Sequence, residues 1–172
     1  MIEQPFRSIR GTQRYVAIAT AVTMDEFDQV GPLTGEVYDW LERQGAAPTG
    51  PSFVRILTSD MTAQLDIEVG VVVDPPPNGD DRMVVGSIPS GTYVTLFYTV
   101  EEESDHIEAN VELQTWAADE GLEWLIDRSS GVDVWGGRFT FERPDKSGDG
   151  RNVFELTYQI IANPADIRVS SE

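Results

Sequence analysis

The chain has 172 residues, no cysteine and a formal net charge of −18 at pH 7. This length suits one compact domain, and the absence of cysteine excludes disulfides, thiol nucleophiles and thiolate metal sites. A negative field of this size repels phosphate backbones and anionic lipids, so we expect no direct nucleic-acid or membrane binding.

The same acidity leaves two interpretations open. It either keeps the protein soluble or attracts a cationic ligand or a basic protein partner. The N-terminal residues contain no basic segment followed by an apolar run, which predicts a chain without a secretory signal. The longest apolar stretch, near residues 69–73, is too short to span a bilayer. We therefore expect a cytoplasmic protein.

A strand, a helix and two further strands are predicted in the first half. Residues 15–22 are rich in β-branched and aromatic side chains, as strands are. Gly31-Pro32 then opens a helix whose apolar residues have i, i+4, i+7, i+8 spacing, and Gly45 follows where helices often end. Those apolar residues are Leu33, Val37, Trp40 and Leu41. Strands follow at 50–53 and 66–73, and the proline-rich segment 74–81 reads as a connecting loop.

The second half repeats this order. Residues 93–100 match the first strand at a shift of 78 residues, and a capping box of Asp105 with Glu108 is predicted to open the second helix. Its apolar residues are shifted by 76 and comprise Ala109, Leu113, Trp116 and Ala117, with Gly121 after them. Strands at 138–142 and 153–156 complete the repeat. We interpret the chain as one domain, 1–172, built from units at about 14–74 and 83–162.

These elements predict an α+β fold with duplicated strand–helix–strand–strand units. Each unit alone leaves one sheet face bare, so the two are expected to join by edges or faces. The result would be two antiparallel sheets or halves with the helices on one side and a central cleft, where small molecules tend to bind. A core filled by its own side chains, with no cavity, is the alternative.

The ordered motifs resemble those of the GyrI-like small-molecule-binding family, whose fold serves as the effector-binding domain of AraC-type and MerR-type transcription regulators. The likeness rests on segments 50–53 and 66–73, on Ile88-Pro89-Ser90-Gly91-Thr92-Tyr93, on the second helix and on Phe154-Glu155-Leu156. It implies a stand-alone protein that senses or sequesters hydrophobic or aromatic small molecules, as in multidrug recognition. Residues 1–14 are too few for a helix-turn-helix motif, so a DNA-directed role would need a partner.

Two positions depart from the family pattern. Arg138 stands where many members have a glutamate, and Thr140 stands where they have a tyrosine. The family glutamate is associated with cationic drugs or with hydrolysis. An arginine in a cleft would instead favour carboxylate, phosphate or flat aromatic groups.

Strand alternation selects the candidate ligand-binding residues. One strand face should pack under the helices, and the other should line the cleft. The predicted ligand-binding set is Phe53, Glu68, Tyr93, Phe97, Trp135, Arg138, Thr140 and Glu155. Glu68 and Glu155 match in the repeat and could converge across the axis; alternatively, each lies at a wet rim or pairs with Arg138 or Arg55.

Enzymatic chemistry has weaker support. The single histidine, His106, has no second ligand nearby and reads as a surface or capping residue, and no phosphate loop, dinucleotide motif or nucleophile elbow is present. We therefore predict no metal and no cofactor, and a hairpin turn at 145–150. The alternative functions are a hydrolase of electrophilic cyclopropane-type natural products and an acidic module that acts on gyrase or a similar DNA enzyme. The hydrolase would use Glu68 or Glu155 with Tyr93 or Tyr98.

Overall fold

The computed structural model describes residues 1–60, 64–143 and 151–162. The described part of the chain forms ten strands, two α-helices and one 3-10 helix. In chain order they are β1 (Phe6–Arg10), β2 (Gln13–Thr23), the 3-10 helix (Met24–Gln29), α1 (Val30–Arg43), β3 (Ser52–Ser59), β4 (Gln64–Val72), β5 (Val84–Ile88), β6 (Gly91–Thr99), α2 (Ser104–Asp119), β7 (Ile126–Asp127), β8 (Asp133–Trp135), β9 (Arg138–Arg143) and β10 (Val153–Gln159).

The strands form one continuous antiparallel sheet rather than two separate sheets. Its order is β1-β6-β10-β9-β3-β4-β2-β5, and the short β7–β8 pair attaches to β3. The sheet curls into a half-barrel with the two helices outside. The predicted α+β class is therefore confirmed, and β3 and β9 join the two halves edge to edge.

The registers of the two halves correspond position by position. Tyr15 on β2 pairs with Val72 on β4, and Tyr93 on β6 pairs with Gln159 on β10. At the junction of the halves, Val54 pairs with Thr140. In the neighbouring pairs, Phe53 lies opposite Phe141 and Arg55 lies opposite Phe139. Paired residues share one face of the sheet, so these registers decide which side chains meet.

The convex face of the sheet packs under the helices as the apolar periodicity predicts. Val37, Trp40 and Leu41 of α1 are buried against β2 and β4. Ala109 and Leu113 of α2 are buried against β6 and β10. Each strand therefore commits its aliphatic face to a helix, and its opposite face is free to form a second cluster on the concave side.

Both helices are followed by a glycine in the left-handed conformation. Gly45 has φ +69° and Gly121 has φ +70°, and no atom lies within 4 Å of where a Cβ would be built on either residue. The requirement for glycine is thus one of backbone conformation rather than of space. Both positions confirm the predicted helix ends.

Several local features differ from expectation. Asp105 does not form a capping box with Glu108; its Oδ2 accepts hydrogen bonds from the backbone N–H groups of Glu101 and Glu102, so it orders the acidic turn before α2. Strands β1, β5, β7 and β8 were not predicted, because each is short and lies outside the repeated pattern. The predicted turn at 145–150 and the tail after Asn163 lie outside the described residues.

Neither described helix is long and apolar enough to cross a membrane.

Candidate functional site

Aromatic side chains cover the centre of the concave face. Phe53 lies at the middle, with its ring centroid 4.7 Å from Tyr15, 5.6 Å from Phe139 and 5.8 Å from Phe141 in edge-on arrangements. Phe139 and Phe141 stack on each other at 5.3 Å. Tyr93, Ala17, Val72 and Ile88 complete this concave aromatic cluster.

The centre of the concave face is packed rather than hollow. Every member of the cluster is at most 3% exposed. Tyr93 is held in place because its hydroxyl donates to the carbonyl oxygen of Pro89 at 2.6 Å. Where the two halves meet, the described residues therefore form a filled core rather than an open cleft.

The first carboxylate belongs to Glu68 on β4, whose side chain is 12% exposed. Its Oε1 accepts a 2.5 Å hydrogen bond from the Tyr15 hydroxyl and lies 4.0 Å from Nη1 of Arg55. Arg55 also donates to the backbone carbonyls of Ser87 and Gly136 and lies over the Phe139 ring. Arg55 thus ties β5 and the segment before β9 to the centre of the sheet.

The second carboxylate, Glu155 on β10, is 1% exposed and lies between two arginines. Arg143 donates from Nε and Nη2 to Glu155 Oε1 at 3.1 and 3.0 Å, and Arg10 contacts Oε2. Arg10 also lies over the rings of Tyr93 and Phe141, at 5.8 and 5.1 Å. A charge this deeply buried requires such partners, because burial disfavours the ionised form.

The two glutamates do not converge. Strands β3 and β9 lie between β4 and β10, which separates the two backbones by about 14 Å measured along the sheet at ~4.8 Å per strand. Each carboxylate has its own cationic partners. Glu68 lies beside Arg55, as one alternative predicts, whereas Glu155 pairs with Arg10 and Arg143 rather than with Arg138.

A small cavity of about 120 Å³ opens next to the cross-strand neighbours of Glu155 and Arg143. It is lined by Met1, Glu3, Phe97, Tyr98, Thr99 and Val153. Phe97 is the cross-strand neighbour of Glu155, and Val153 is that of Arg143. The half-buried Phe97 ring also stacks on Phe6 at 5.9 Å. We call Phe97, Glu155, Arg10, Arg143 and this cavity the Glu155 site.

Comparisons with solved structures identify the fold. The C-terminal domain of EcmrR superimposes with a TM-score of 0.70 at 14% identity, over 93% of this chain and 98% of that domain. The chain has the GyrI-like fold. In the cryo-EM structure of an EcmrR–DNA complex, the match has a TM-score of 0.74 at 13% identity and covers 93% of this chain but only 58% of EcmrR.

Two other proteins share the GyrI-like fold. SAV2435, solved bound to tetraphenylphosphonium, matches with a TM-score of 0.59 at 10% identity, over 93% of this chain and 95% of that one. A hydrolase from Listeria innocua matches with a TM-score of 0.55 at 11% identity, over 91% and 92% of the two chains. No protein-family model matches the sequence, and no curated protein matches it.

Three of the predicted site residues lie on the convex side of the GyrI-like fold: Trp135, Arg138 and Thr140. Arg138 pairs in register with Tyr158, and Thr140 pairs with Leu156, both of which belong to the cluster under α2. The Arg138 guanidinium lies 4.4 Å from the Trp135 ring centroid and 4.7 Å from that of Tyr158. The expectation that Arg138 faces the cleft is therefore corrected, since Phe139 and Phe141 occupy the concave side of β9.

The other five predicted ligand-binding residues lie on the concave side: Phe53, Glu68, Tyr93, Phe97 and Glu155. Two of them, Phe53 and Tyr93, belong to the filled centre of that side.

Tyr98 faces α2, where its hydroxyl lies 2.9 Å from His106 Nδ1 and its ring stacks on Phe154. The Tyr98 ring is therefore on the opposite face from Glu155, although Tyr98 also borders the cavity. His106 is a half-buried packing residue rather than a surface or capping residue.

Burial dominates the chemistry of the tyrosines. It raises the pKa of Tyr93 to about 12 and raises the pKa of Tyr15 and Tyr98 further. The Tyr15 phenol therefore stays protonated at neutral pH and acts as a hydrogen-bond donor to Glu68. No group of three or more metal-ligating side chains occurs within the described ranges of the chain.

Three residues of the concave face are not in the ligand-binding set predicted from the sequence. Arg10 lies on β1, outside the repeated pattern, and Arg143 lies at the end of β9 beside residues that carry no motif. Tyr15 lies on the concave face of β2 but is not among the predicted ligand-binding residues. Strand alternation could have identified Arg143, because it lies two and four residues after Phe141 and Phe139 and therefore on the same face of β9.

Proposed function

We propose that this domain binds a small aromatic molecule at the Glu155 site and acts as a sensor or sequestering protein. The observation that carries the proposal is a cavity of about 120 Å³ beside Phe97, next to a buried carboxylate–arginine cluster. Ligand sites combine apolar walls with a few placed polar groups in this way. The likeness to SAV2435, which was solved with tetraphenylphosphonium, supports a small-molecule ligand.

The size of the cavity favours one aromatic ring. An apolar cavity of about 150 Å³ in another protein accepts benzene, so 120 Å³ with an open side accommodates a ring whose substituent points outward. Phe97 offers that ring a stacking surface, because it is only half-buried. A larger ligand would require Phe6 and the first residues of the chain to move away from β6.

In this proposal the chain is one domain, 1–172, built from two units at about 14–74 and 83–162. The equivalent registers of Tyr15 with Val72 and Tyr93 with Gln159 support a duplication, as do the equivalent φ values after the helices. The ligand-binding role needs no DNA contact by this domain.

A cavity-filling variant tests the proposal. Thr99→Trp places an indole in the cavity, whereas Thr115→Trp makes the same change on the exposed side of α2. Purified wild type and both variants are screened against planar aromatic compounds by thermal shift. A ligand at 100 times its Kd adds about 2.7 kcal/mol, or roughly 5–10 °C in Tm for a domain of this size.

We expect that shift in wild type and in Thr115→Trp, and its loss in Thr99→Trp. The proposal fails if no aromatic compound stabilises the wild type. It also fails if Thr99→Trp, shown to be folded by circular dichroism, responds as the wild type does.

The Glu68–Tyr15 pair favours one second function, hydrolysis of an electrophilic cyclopropane. Because Tyr15 is 1% exposed, the packed concave centre would have to open to admit the substrate. Glu68 would take a proton from a water molecule whose oxygen attacks a ring carbon. The ring C–C bond would break, and the carbon that receives its electron pair would take a proton from Tyr15, which the proton on Glu68 then restores. The 2.5 Å contact and the likeness to a Listeria innocua hydrolase support this candidate. Turnover that is unchanged in both Glu68→Gln and Tyr15→Phe would reject it.

A further inference from the structure

We infer that the ligand of the Glu155 site is an aromatic carboxylate and that Arg10 sets this preference. The inference rests on the proposed function and names its ligand class. It comes from the local charge, from unpaired donors on the arginines of this face, and from the position of Arg10 over aromatic rings.

The local charge is positive although the chain is acidic. Two guanidinium groups, Arg10 and Arg143, contact one carboxylate, Glu155. The nearby pair of Arg55 and Glu68 is neutral. These five groups, three positive and two negative, carry a summed charge of +1, in a chain whose net charge is −18.

A cationic ligand would find the buried carboxylate already occupied. Arg143 donates twice to Oε1 of Glu155, and Arg10 contacts Oε2. Arg10 lies over the Tyr93 and Phe141 rings, which is the place a flat organic cation would take. Such a cation would have to displace Arg10, whereas an anion would add to the two guanidinium groups.

Unpaired donors on the same face point to an acceptor. The Nε–H groups of Arg10 and Arg55 are buried and have no hydrogen-bond partner among the described residues. Oε2 of Glu155 also accepts no hydrogen bond there, but its charge is met by the ion pair with Arg10, whereas the two Nε–H donors face no acceptor. A buried donor without an acceptor costs about 1–3 kcal/mol, so a ligand oxygen that reaches one of them binds favourably. A carboxylate matches the planar fork of a guanidinium group, because its two oxygens can accept two parallel N–H bonds.

Two other carboxylates on the concave side lie at its rim. Glu3 lines the cavity and Asp66 lies near the end of β4, but both are exposed, so water and salt screen their charges. Arg10 and Glu155 are shielded more strongly, with side chains that are 20% and 2% exposed. Water and salt therefore screen the Arg10 guanidinium less than they screen either rim carboxylate.

Benzoate and benzamidine test the inference because they are planar, nearly equal in shape and opposite in charge at pH 7. Each is titrated into ¹⁵N-labelled protein, and binding is followed by amide shifts of Phe97 and Glu155. We expect benzoate to bind the wild type at least tenfold more tightly than benzamidine. Arg10→Met should weaken benzoate about tenfold and abolish the preference, and Arg10→Lys should retain it in part.

Two further variants separate this effect from misfolding. Arg143→Met removes the second guanidinium, whose side chain is 43% exposed, and should change the preference in the same direction. Arg128→Met removes an exposed arginine that pairs with Asp133 on another part of the surface and should leave both affinities unchanged.

The outcomes are distinct. Tighter binding of benzamidine, or equal binding of both compounds by the wild type, overturns the inference while the proposed function stands. A benzoate preference that persists in both Arg10→Met and Arg143→Met also overturns it. Absence of binding by either compound and by the wider aromatic panel overturns the proposed function, and this inference with it.

Discussion

Truncation of Phe53 tests whether the concave face is packed. The side chain is 3% exposed and contacts Tyr15, Phe139 and Phe141 at the junction of the two halves. Phe→Ala at a buried site costs about 3–5 kcal/mol, because apolar contacts are lost and a cavity remains. The loss of three edge-on ring contacts places Phe53→Ala near the upper half of that range, at about 4 kcal/mol.

The free energy of unfolding is measured by urea denaturation of wild type, Phe53→Ala and Phe53→Leu. A loss of about 4 kcal/mol corresponds to a fall in Tm of roughly 8–16 °C for a domain of this size. Phe53→Leu keeps most of the volume and should cost less than about 1.5 kcal/mol. Phe6→Ala is the matched control, because Phe6 is 41% exposed on an edge strand and should cost under about 1 kcal/mol.

Equal small costs for Phe53→Ala and Phe6→Ala would refute this reasoning. Such a result would mean that water already reaches the Phe53 ring and that the concave centre is hollow in solution. The ligand site would then extend across the axis to Glu68 instead of being confined to the Glu155 site.

Two further predictions concern the backbone and the tyrosines. Gly35 lies in the interior of α1 with open space where a Cβ would be, so Gly35→Ala should stabilise the fold by about 0.5–1 kcal/mol. Gly45 and Gly121 have positive φ, so replacing either with alanine should cost about 1–2 kcal/mol. Equal urea midpoints for all three variants would contradict this. Burial raises the tyrosine pKa values in the folded state, so the unfolded state loses protons first and stability should fall from about pH 10 upward, by up to ~1.4 kcal/mol per pH unit for each tyrosine. Absorbance at 295 nm and urea unfolding at pH 9 to 12 check this; the groups concerned are Tyr15, Tyr93, Tyr98 and Tyr158.

The sequence predicts the convex core well because two periodicities agree there. Val16 and Ile18 alternate on β2, while Val37 and Leu41 recur at helical spacing on α1, and all four meet in one cluster. Each pattern alone identifies a buried face. Their combination also says which face of the strand the helix covers, so the core follows without knowledge of strand order.

The concave face is harder to predict because alternation gives two faces without saying which is which. On β9, Arg138 and Thr140 alternate with Phe139 and Phe141, and either pair could face the cleft. The choice is made by the β3–β9 register, which sets Phe139 beside Arg55 and Phe141 beside Phe53. That register depends on how the two halves meet, which no local pattern contains.

Arg10 could not be predicted for a different reason. Strand β1 has five residues, pairs only with β6 and carries mostly exposed side chains, so it has almost no periodic signal. Its charged contribution to the site comes from its last residue, while its first residue, Phe6, stacks on Phe97. A single arginine at the end of an edge strand gains its meaning only from Glu155, which lies more than 140 residues later in the chain.

The charge balance explains why these arginines lie where they do. In a chain of net charge −18, burial of the Glu155 carboxylate is opposed by desolvation and by the field of the other acidic groups. Arg10 and Arg143 offset both effects, so their first role is to let β10 carry a charge inside the sheet. A preference for an anionic ligand follows because two guanidinium groups exceed the need of one carboxylate. Removal of either arginine should therefore lower stability as well as change ligand choice, and a variant that changed ligand choice with no loss of stability would separate the two roles.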